Sequence, residues 1–452
     1  MEETEMAFEE GGGKEEEEYG ITLPCMQKSI SRARPRKSYH VSRDLCQQLI
    51  WKAVCKNEWE KAAGLFTSYL QILMDRGKHG QTVTPEIIWR IGSEILLNHP
   101  KSTNADINIF HEAMKNIGHK NYLRISLEQV YHCLCNGQVD EAHRVLSLAQ
   151  SWRSGLHSSE QKRLQKLIDA YRAVLNYRSW VDKGSAMSQN DPDHSAQSVS
   201  SHAMDSYYRQ ATTSFQEILT FPGVWDPFIL NYVDLLESSG KNQEAEKVLT
   251  EYANDPKNPA NPNALVYLYE FMERHAASEE KLIEVLRVLN AKTPSHKLML
   301  KFSKLLGNSD SENNQKFSLH VLFDLLDFSG WKKDVKAWSY FAKKLRKAFR
   351  GDRSAWILEE WQPRRSWWPS YHFTTYQAEN DWRDCEKLAV KKASVAGMLQ
   401  GPTCSYFTWI YKCGRKERTT ALNRTKAFIR KNNCEILPLP SGADDVMEAA
   451  MG

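Results

Sequence analysis

The chain has 452 residues, of which 41% are hydrophobic and 26% charged, with a formal net charge of +4. These proportions are those of a folded, water-compatible protein and exclude a wholly disordered or collagen-like chain. Nine cysteines, odd in number and scattered, give no disulfide ladder and point to an intracellular, reducing compartment.

In chain order, residues 1–18 come first, with nine Glu against one Lys and a Gly-Gly-Gly inside. Such a stretch cannot bury enough apolar surface to order itself, and it reads as an acidic tail. The next run, KSISRARPRKSYHVSR over 28–43, is basic and proline-interrupted. Arg32, Arg34, Arg36 and Lys37 make it a candidate nuclear-import signal; the plainer alternative is a solvated arm. Because the N-terminus is acidic, it is the reverse of a secretory leader.

A helical hairpin is predicted over 42–76, around Trp59, Ala62, Ala63 and Leu65. Thr84-Pro85 opens a helix to Asn98. Residues 121–152 form a second hairpin. Its apolar row is Leu123, Leu127, Val130, Tyr131 and Leu134, its turn is at Gly137, and Val145, Leu146 and Trp152 line the return helix. Ser158 and Gln161 form a capping box for 159–182. The polar segment 184–201 reads as a loop, followed by a helical row over 201–219.

The hairpin over 223–249, GVWDPFILNYVDLLESSGKNQEAEKVL, is the fullest. Asp226 is placed as N-cap and Pro227 at the first helical position, with Trp225 and Leu230 spaced for a hydrophobic staple. Ser238, Ser239 and Gly240 end the first helix, and Ala245, Val248 and Leu249 mark the inner face of the second. Gly137 and Gly240 lie 103 residues apart, close to three periods of about 34 residues, the tetratricopeptide length. The full Trp-Leu-Gly-Tyr signature of that repeat is absent. Further helical rows run over 263–275, 279–292, 314–328, 332–350 and 376–400, with short loops at 254–263 and 308–314. Alternating strand patterns are scarce. The fold class expected is all-α, helical hairpins stacked as a degenerate tetratricopeptide-like solenoid.

Two later stretches are strongly basic. Lys332, Lys333, Lys336, Lys343, Lys344, Arg346, Lys347 and Arg350 surround Asp334, while Val335, Trp338, Phe341, Ala342, Leu345 and Phe349 form the buried stripe of the same helix. The second is Lys412, Arg415, Lys416, Arg418, Arg424, Lys426, Arg430 and Lys431, against Glu417 alone. Both runs are candidate contacts for nucleic acid or an acidic partner, the second foremost, because neutralised phosphates release counterions; an ordinary wet helix face is the alternative. Between the two lies 355–382, with five of the fourteen tryptophans. Trp367, Trp368, Tyr371 and Phe373 are candidate partner-interface aromatics. Packing at the end of the solenoid explains them equally well and is favoured.

Reactive motifs are nearly absent. Gly11-Gly12-Gly13-Lys14 lacks the spacing and the Ser/Thr of a phosphate loop. His111-Glu112 is followed by Lys115 where a zinc-protease motif has its second histidine. His132, Cys133, Cys135 and His143 include no Cys-x-x-Cys pair, and a core cysteine explains Cys133 better than a metal site. No catalytic residue, cofactor or metal is expected. The weakly polar run 393–411 is broken by Gly401-Pro402 and is a poor membrane span.

Several long blocks occur together: PEIIWRIGSEILLNHPKS (85–102), MKNIGHKNYLRISLEQ (114–129), PGVWDPF (222–228), NPNALVYLYEF (261–271) and PSHKLML (294–300). SWWPSYHF (366–373) and the Lys/Ala-rich segment ending VAGMLQG (395–401) complete the set. Over about residues 42–412 the chain resembles the A subunit of the TATA-box-binding-protein-associated factors specific to RNA polymerase I, a family known from vertebrates. The resemblance implies a non-enzymatic subunit of the RNA polymerase I promoter selectivity factor. Its expected partners are the TATA-box-binding protein, the other associated factors, the upstream binding factor and, through the complex, the ribosomal DNA promoter. Its expected home is the nucleus and nucleolus. The domain plan expected is a tail over 1–41, a helical-repeat solenoid over 42–350, an aromatic-rich and basic helical region over 351–432, and a second tail over 433–452. A nuclear helical-repeat scaffold for RNA processing is the alternative reading.

Overall fold

The computed structural model describes residues 38–74, 85–117, 121–152, 158–187, 194–413 and 416–431. Every regular element among them is helical. The chain divides into two compact units, Met1–Leu175 and Asn176–Gly452.

The first unit holds α1 (Ser38–Val54), α2 (Trp59–Met74), α3 (Pro85–Asn98), α4 (Asn104–Ile117), α5 (Tyr122–Cys135), α6 (Val139–Ser151) and the start of α7 (Ser159–Met187). Its core runs stepwise along the chain. Ile50, Ala62, Phe66 and Tyr69 of the first hairpin pack with Ile91 and Ile95 of α3. Trp89 then meets Met114 and Ile125, and Leu123, Val145 and Leu146 pack with Ile168 and Leu175. Each helix pair buries its apolar stripe on the next, which is how repeat proteins accumulate stability. The capping box at α7 is present. The Ser158 amide donates to Gln161 Oε1 at 2.9 Å and the Gln161 amide to Ser158 Oγ at 3.2 Å.

The second unit continues through α8 (His194–Leu219), α9 (Asp226–Ser238), α10 (Asn242–Asn254), α11 (Pro262–Arg274), α12 (Glu279–Lys292), α13 (Met299–Asn308) and α14 (Glu312–Asp327). It then forms a bundle from α15 (Val335–Arg350), α16 (Ser354–Trp361), α17 (Trp368–His372), α18 (Thr375–Asp384), α19 (Glu386–Gln400), α20 (Ser405–Cys413) and α21 (Lys416–Lys431). In α19 every residue from Leu388 to Leu399 except Lys391 is buried. A helix covered on all sides is the axis of a core, and α15, α18, α20 and α21 pack around this one.

One type of turn recurs between helices at five places among the described residues. At Asn57, Gly137, Gly240, Ala276 and Asp352 the backbone has φ between 50° and 75°. In each, the next amide reaches back to a carbonyl five residues earlier: Glu58 to Ala53, Gln138 to Cys133, Lys241 to Leu236, Ala277 to Met272 and Arg353 to Ala348. This 6→1 bond with a left-handed residue is the Schellman closure, and it satisfies carbonyls the helix end leaves free. Only two of the five are glycine, which is why spacing between glycines gives so incomplete a view of the repeat.

Several expectations change. Asp226 is the first residue of α9 and Trp225 takes the cap position. The Asp226 carboxylate instead accepts from Tyr252 Oη at 2.8 Å, Asn261 Nδ2 at 2.5 Å and Asn263 Nδ2 at 3.2 Å, tying α9 to the end of α10 and the start of α11. The staple is not formed, because Trp225 turns inward and Leu230 is exposed. The loop expected over 184–201 is shorter, since α7 runs to Met187 and α8 starts at His194. Its Ser and Gln residues are polar but do not forbid helix, and its Ala residues favour it. The row over 376–400 is two helices, broken at Cys385, whose φ of −158° makes it the C-cap of α18 and the N-cap of α19. Helices α4 and α13 went unread. The tails over 1–37 and 432–452, with Arg32, Arg34, Arg36 and Lys37, lie outside the described residues.

A Cβ added at Gly240 would meet nothing within 4 Å, so the cost of substitution there is conformational. Gly240→Ala should lower stability by about 1 kcal/mol and Ala276→Gly raise it by about as much. Urea titration of both variants checks this; shifts of the same sign would remove the left-handed turn as the cause.

Candidate functional site

The aromatic segment divides into an inside and an outside. Pro at the second position of α17 starts a helix of one turn, Trp368–His372, which turns Trp368 into the bundle. Trp368 is fully buried between Phe323, Phe341 and Trp361, with ring centroids 5.3, 6.2 and 6.0 Å away. Its Nε1–H donates to Asp327 Oδ1 at 2.6 Å. Phe373 is buried beside Trp338. Neither ring is available to a partner on the folded surface, a correction to their candidacy as interface residues. Packing claimed them because a Trp or Phe ring buries more apolar area than most other side chains. Trp367 is 38% exposed, and Tyr371 lies 5.5 Å from it, with Lys332 Nζ 4.2 Å above the Tyr371 ring. These three form a small aromatic and cationic surface.

Beside it sits a polar cluster that sequence reasoning missed. Arg364 donates to Asp324 Oδ1 at 2.5 Å, to Asp327 Oδ2 at 2.9 Å and to Glu360 Oε2 at 3.1 Å. His320 joins Glu360 through Nδ1 at 2.9 Å and Asp324 through Nε2 at 3.2 Å. His320, Asp324 and Glu360 have ligand-type atoms within 4.8 Å of one another. Both imidazole nitrogens and the facing oxygens already serve one another, so the arrangement fits a protonated histidine held between two carboxylates. The hydrogen bond to Glu360 raises the His320 pKa, against the opposing effect of burial. Burial holds the Asp324 carboxyl above its ordinary range despite His320 and Arg364 nearby. The i, i+4 pairs His320/Asp324 and Glu360/Arg364 were the available signal, hidden because the two helices are far apart in sequence.

The basic C-terminal run is dispersed around its helix. Leu422, Thr425 and Ile429 are the buried face of α21. Arg424 and Lys431 are exposed on the opposite side, Arg430 is exposed, and Lys426 lies partly buried with Nζ 5.6 Å from the Tyr411 ring. Lys412 is exposed at the end of α20. Lys416 and Arg418 belong to α21, and Arg415 lies outside the described residues. Cys133 is buried and Cys135 exposed, on different faces of α5.

A groove of about 300 Å³ lies between α8, α9 and α10, lined by Gln216, Thr220, Tyr232, Glu244, Glu251 and Tyr252. Burial pushes both tyrosines up to about 12, so their phenols stay protonated and supply no base. No described helix is long and apolar enough to cross a membrane.

The sequence model of a family described as the TAF RNA Polymerase I A subunit matches residues 52–412. The chain belongs to this family. It is 42% identical over 416 residues to the A subunit of the TATA box-binding protein-associated factor RNA polymerase I of Mus musculus, covering 91% of this chain and 92% of that one. The Homo sapiens relative of the same name is 40% identical over the same shares. Among solved structures, a human IFIT1 dimer with m7Gppp-AAAA is similar at 12% identity, covering 88% and 90% of the two chains, with a TM-score of 0.25. The TPR domain of P58(IPK) is similar at 10% identity, covering 86% and 98%, with a TM-score of 0.22. The stacked hairpins of this family member make it a helical-repeat protein.

Trp368→Ala should cost roughly 3–5 kcal/mol, a loss typical of truncating a buried aromatic ring, while Trp367→Ala should change a thermal melt little. Equal losses would erase the distinction between inside and outside. For His320 the sign is fixed by its raised pKa. The stabilisation is complete below the ordinary value of 6.5 and fades as pH rises through the raised one. Melting temperatures across this range should therefore fall less for His320→Gln than for the parent; parallel profiles would deny the histidine its charge.

Proposed function

We propose that this chain is a non-enzymatic subunit of the RNA polymerase I promoter selectivity factor. In this reading it binds the TATA-box-binding protein and the other associated factors. Together they assemble the preinitiation complex on ribosomal RNA gene promoters in the nucleolus, alongside the upstream binding factor. The observation that carries the reading is identity of 42% across nearly the whole length of a relative bearing that subunit's name. The absence of a reactive constellation among the described residues is compatible with it and decides nothing alone.

The mechanism is preorganised docking. Helix pairs locked by left-handed turns and buried stripes hold surface groups at fixed separations, so little conformational freedom is lost on assembly. Trp367, Tyr371 and Lys332 form one such contact, with the exposed ring as anchor and the cation for an acidic neighbour. Lys412, Arg424, Lys426, Arg430 and Lys431 form another, directed at an acidic subunit or at promoter phosphates.

Affinity purification of the tagged full-length chain from nucleolar extract should recover the TATA-box-binding protein in near-stoichiometric amount. Recovery of the chain in a stable complex lacking that protein would overturn the reading.

A further inference from the structure

The outer face of α15 carries charge of one sign only. Lys336, Lys343, Arg346, Lys347 and Arg350 recur at helical spacing there, opposite the buried Trp338, Phe341 and Leu345. They span about 21 Å at 1.5 Å per residue. The helix contains no acidic residue, and no described carboxylate lies within ion-pair distance of these five side chains. Folding adds a sixth cation, Lys391, the one residue of the central stretch of α19 that reaches the surface. Burial, then the charges of Arg346 and Lys343, lower the pKa of Lys391; burial, then the charge of Arg350, lower that of Arg346. Arg346 donates to Thr425 Oγ1 of α21 at 2.9 Å, which fixes the half-buried guanidinium in place.

Gathering like charges from two helices, one of them half-buried and without a carboxylate, costs free energy that a polyanion would recover. The chemistry of the face decides which polyanion. Its aromatic neighbours Phe349 and Phe428 are partly buried, and Arg350 lies over the Phe428 ring at 5.6 Å. Neither these rings nor Tyr340 of the same helix is fully exposed for unpaired bases to stack on, as single-strand binders require. It lacks the apolar anchors of a protein interface core. What remains is a face of cations with no acidic residue on its helix.

We propose that the face formed by Lys336, Lys343, Arg346, Lys347 and Arg350 of α15 with Lys391 of α19 grips the phosphate backbone of duplex DNA without reading its sequence. This goes beyond the assembly role, which requires no direct DNA contact by this chain, and the basic run over 412–431 is a separate surface.

The test uses the full-length chain and a short labelled duplex DNA, with binding measured by fluorescence anisotropy across a salt series. The variants are Lys343→Gln/Arg346→Gln/Lys391→Gln and, to spare the bond to Thr425, Lys343→Gln/Lys391→Gln. The slope of log K against log salt should become shallower by about 0.9 for each phosphate no longer neutralised, hence about 2.7 for the triple and about 1.8 for the double variant. Affinity at low salt should fall at least tenfold, with the melting temperature of the double variant unchanged. An unchanged slope in the double variant overturns the proposal, as does binding of polyglutamate but not of the duplex. Tighter binding of duplex RNA than of duplex DNA overturns the choice of nucleic acid. Retention of the TATA-box-binding protein by a variant with the shallower slope supports the proposal, since failure of DNA binding is then not failure of assembly.

Discussion

A lysine ammonium cannot enter an apolar helix bundle unless an anion goes with it, and the carboxyl-terminal bundle is built around one such pair. Lys392, fully buried on α19, is bonded to Asp381 of α18, which also accepts from Tyr406 Oη of α20 at 2.8 Å. Burial lowers the lysine's pKa and raises the tyrosine's. The opposing charge and the third hydrogen bond are what make the pair tolerable at that depth. It also dictates geometry. With Asp381 one turn before the break at Cys385 and Lys392 two turns after it, α18 must fold back against α19 for the two to meet. Removing one partner of such a pair leaves the other charge buried alone, which costs far more than the pair itself contributes.

The same discipline operates next door. His372 is buried against Trp338 and Trp368, and burial together with Lys392 and Lys332 pushes its pKa down to about 2. The neutral ring donates through Nε2 to the Leu326 carbonyl at 3.0 Å. Lowered here and raised at His320, the pKa values of the two histidines differ because of their surroundings: one has cations and indoles around it, the other two carboxylates.

Much of this was legible in the amino-acid order. The hairpins at 42–76, 121–152 and 223–249 and the long rows to residue 350 show as α1–α2, α5–α6, α9–α10 and as α11, α12, α14 and α15, because amphipathic spacing of Leu, Ile and Trp reports the buried stripe directly. The left-handed closures at Asn57, Ala276 and Asp352 were not legible: Asn and Asp tolerate φ above zero but are common in many other settings, and Ala gives no sign of it at all. Nor was α19 separable from α18. A helix buried on every side loses the periodic alternation by which helices are recognised, and only Cys385's extended backbone marks the seam. Among the candidate surface residues, Trp367 and Trp368 stand as equals until the chain is folded. The indole that turns inward finds its partners far off in the chain: Phe323 and Phe341 against its ring, and Asp327, 41 positions away, on its N–H. The gathering of Lys391 beside Arg346 was hidden for the same reason.

The all-round burial of α19 also bears on how the protein comes into being. Its covering helices lie on both sides of it in sequence, and α21 is made after it. Until the ribosome has delivered the chain through Lys431, the rod VAGMLQ and its neighbours lack the cover of α21. During that interval the nascent polypeptide displays the kind of sticky segment that chaperones hold, so the bundle is a late arrival even though the amino-terminal hairpins can settle as they emerge.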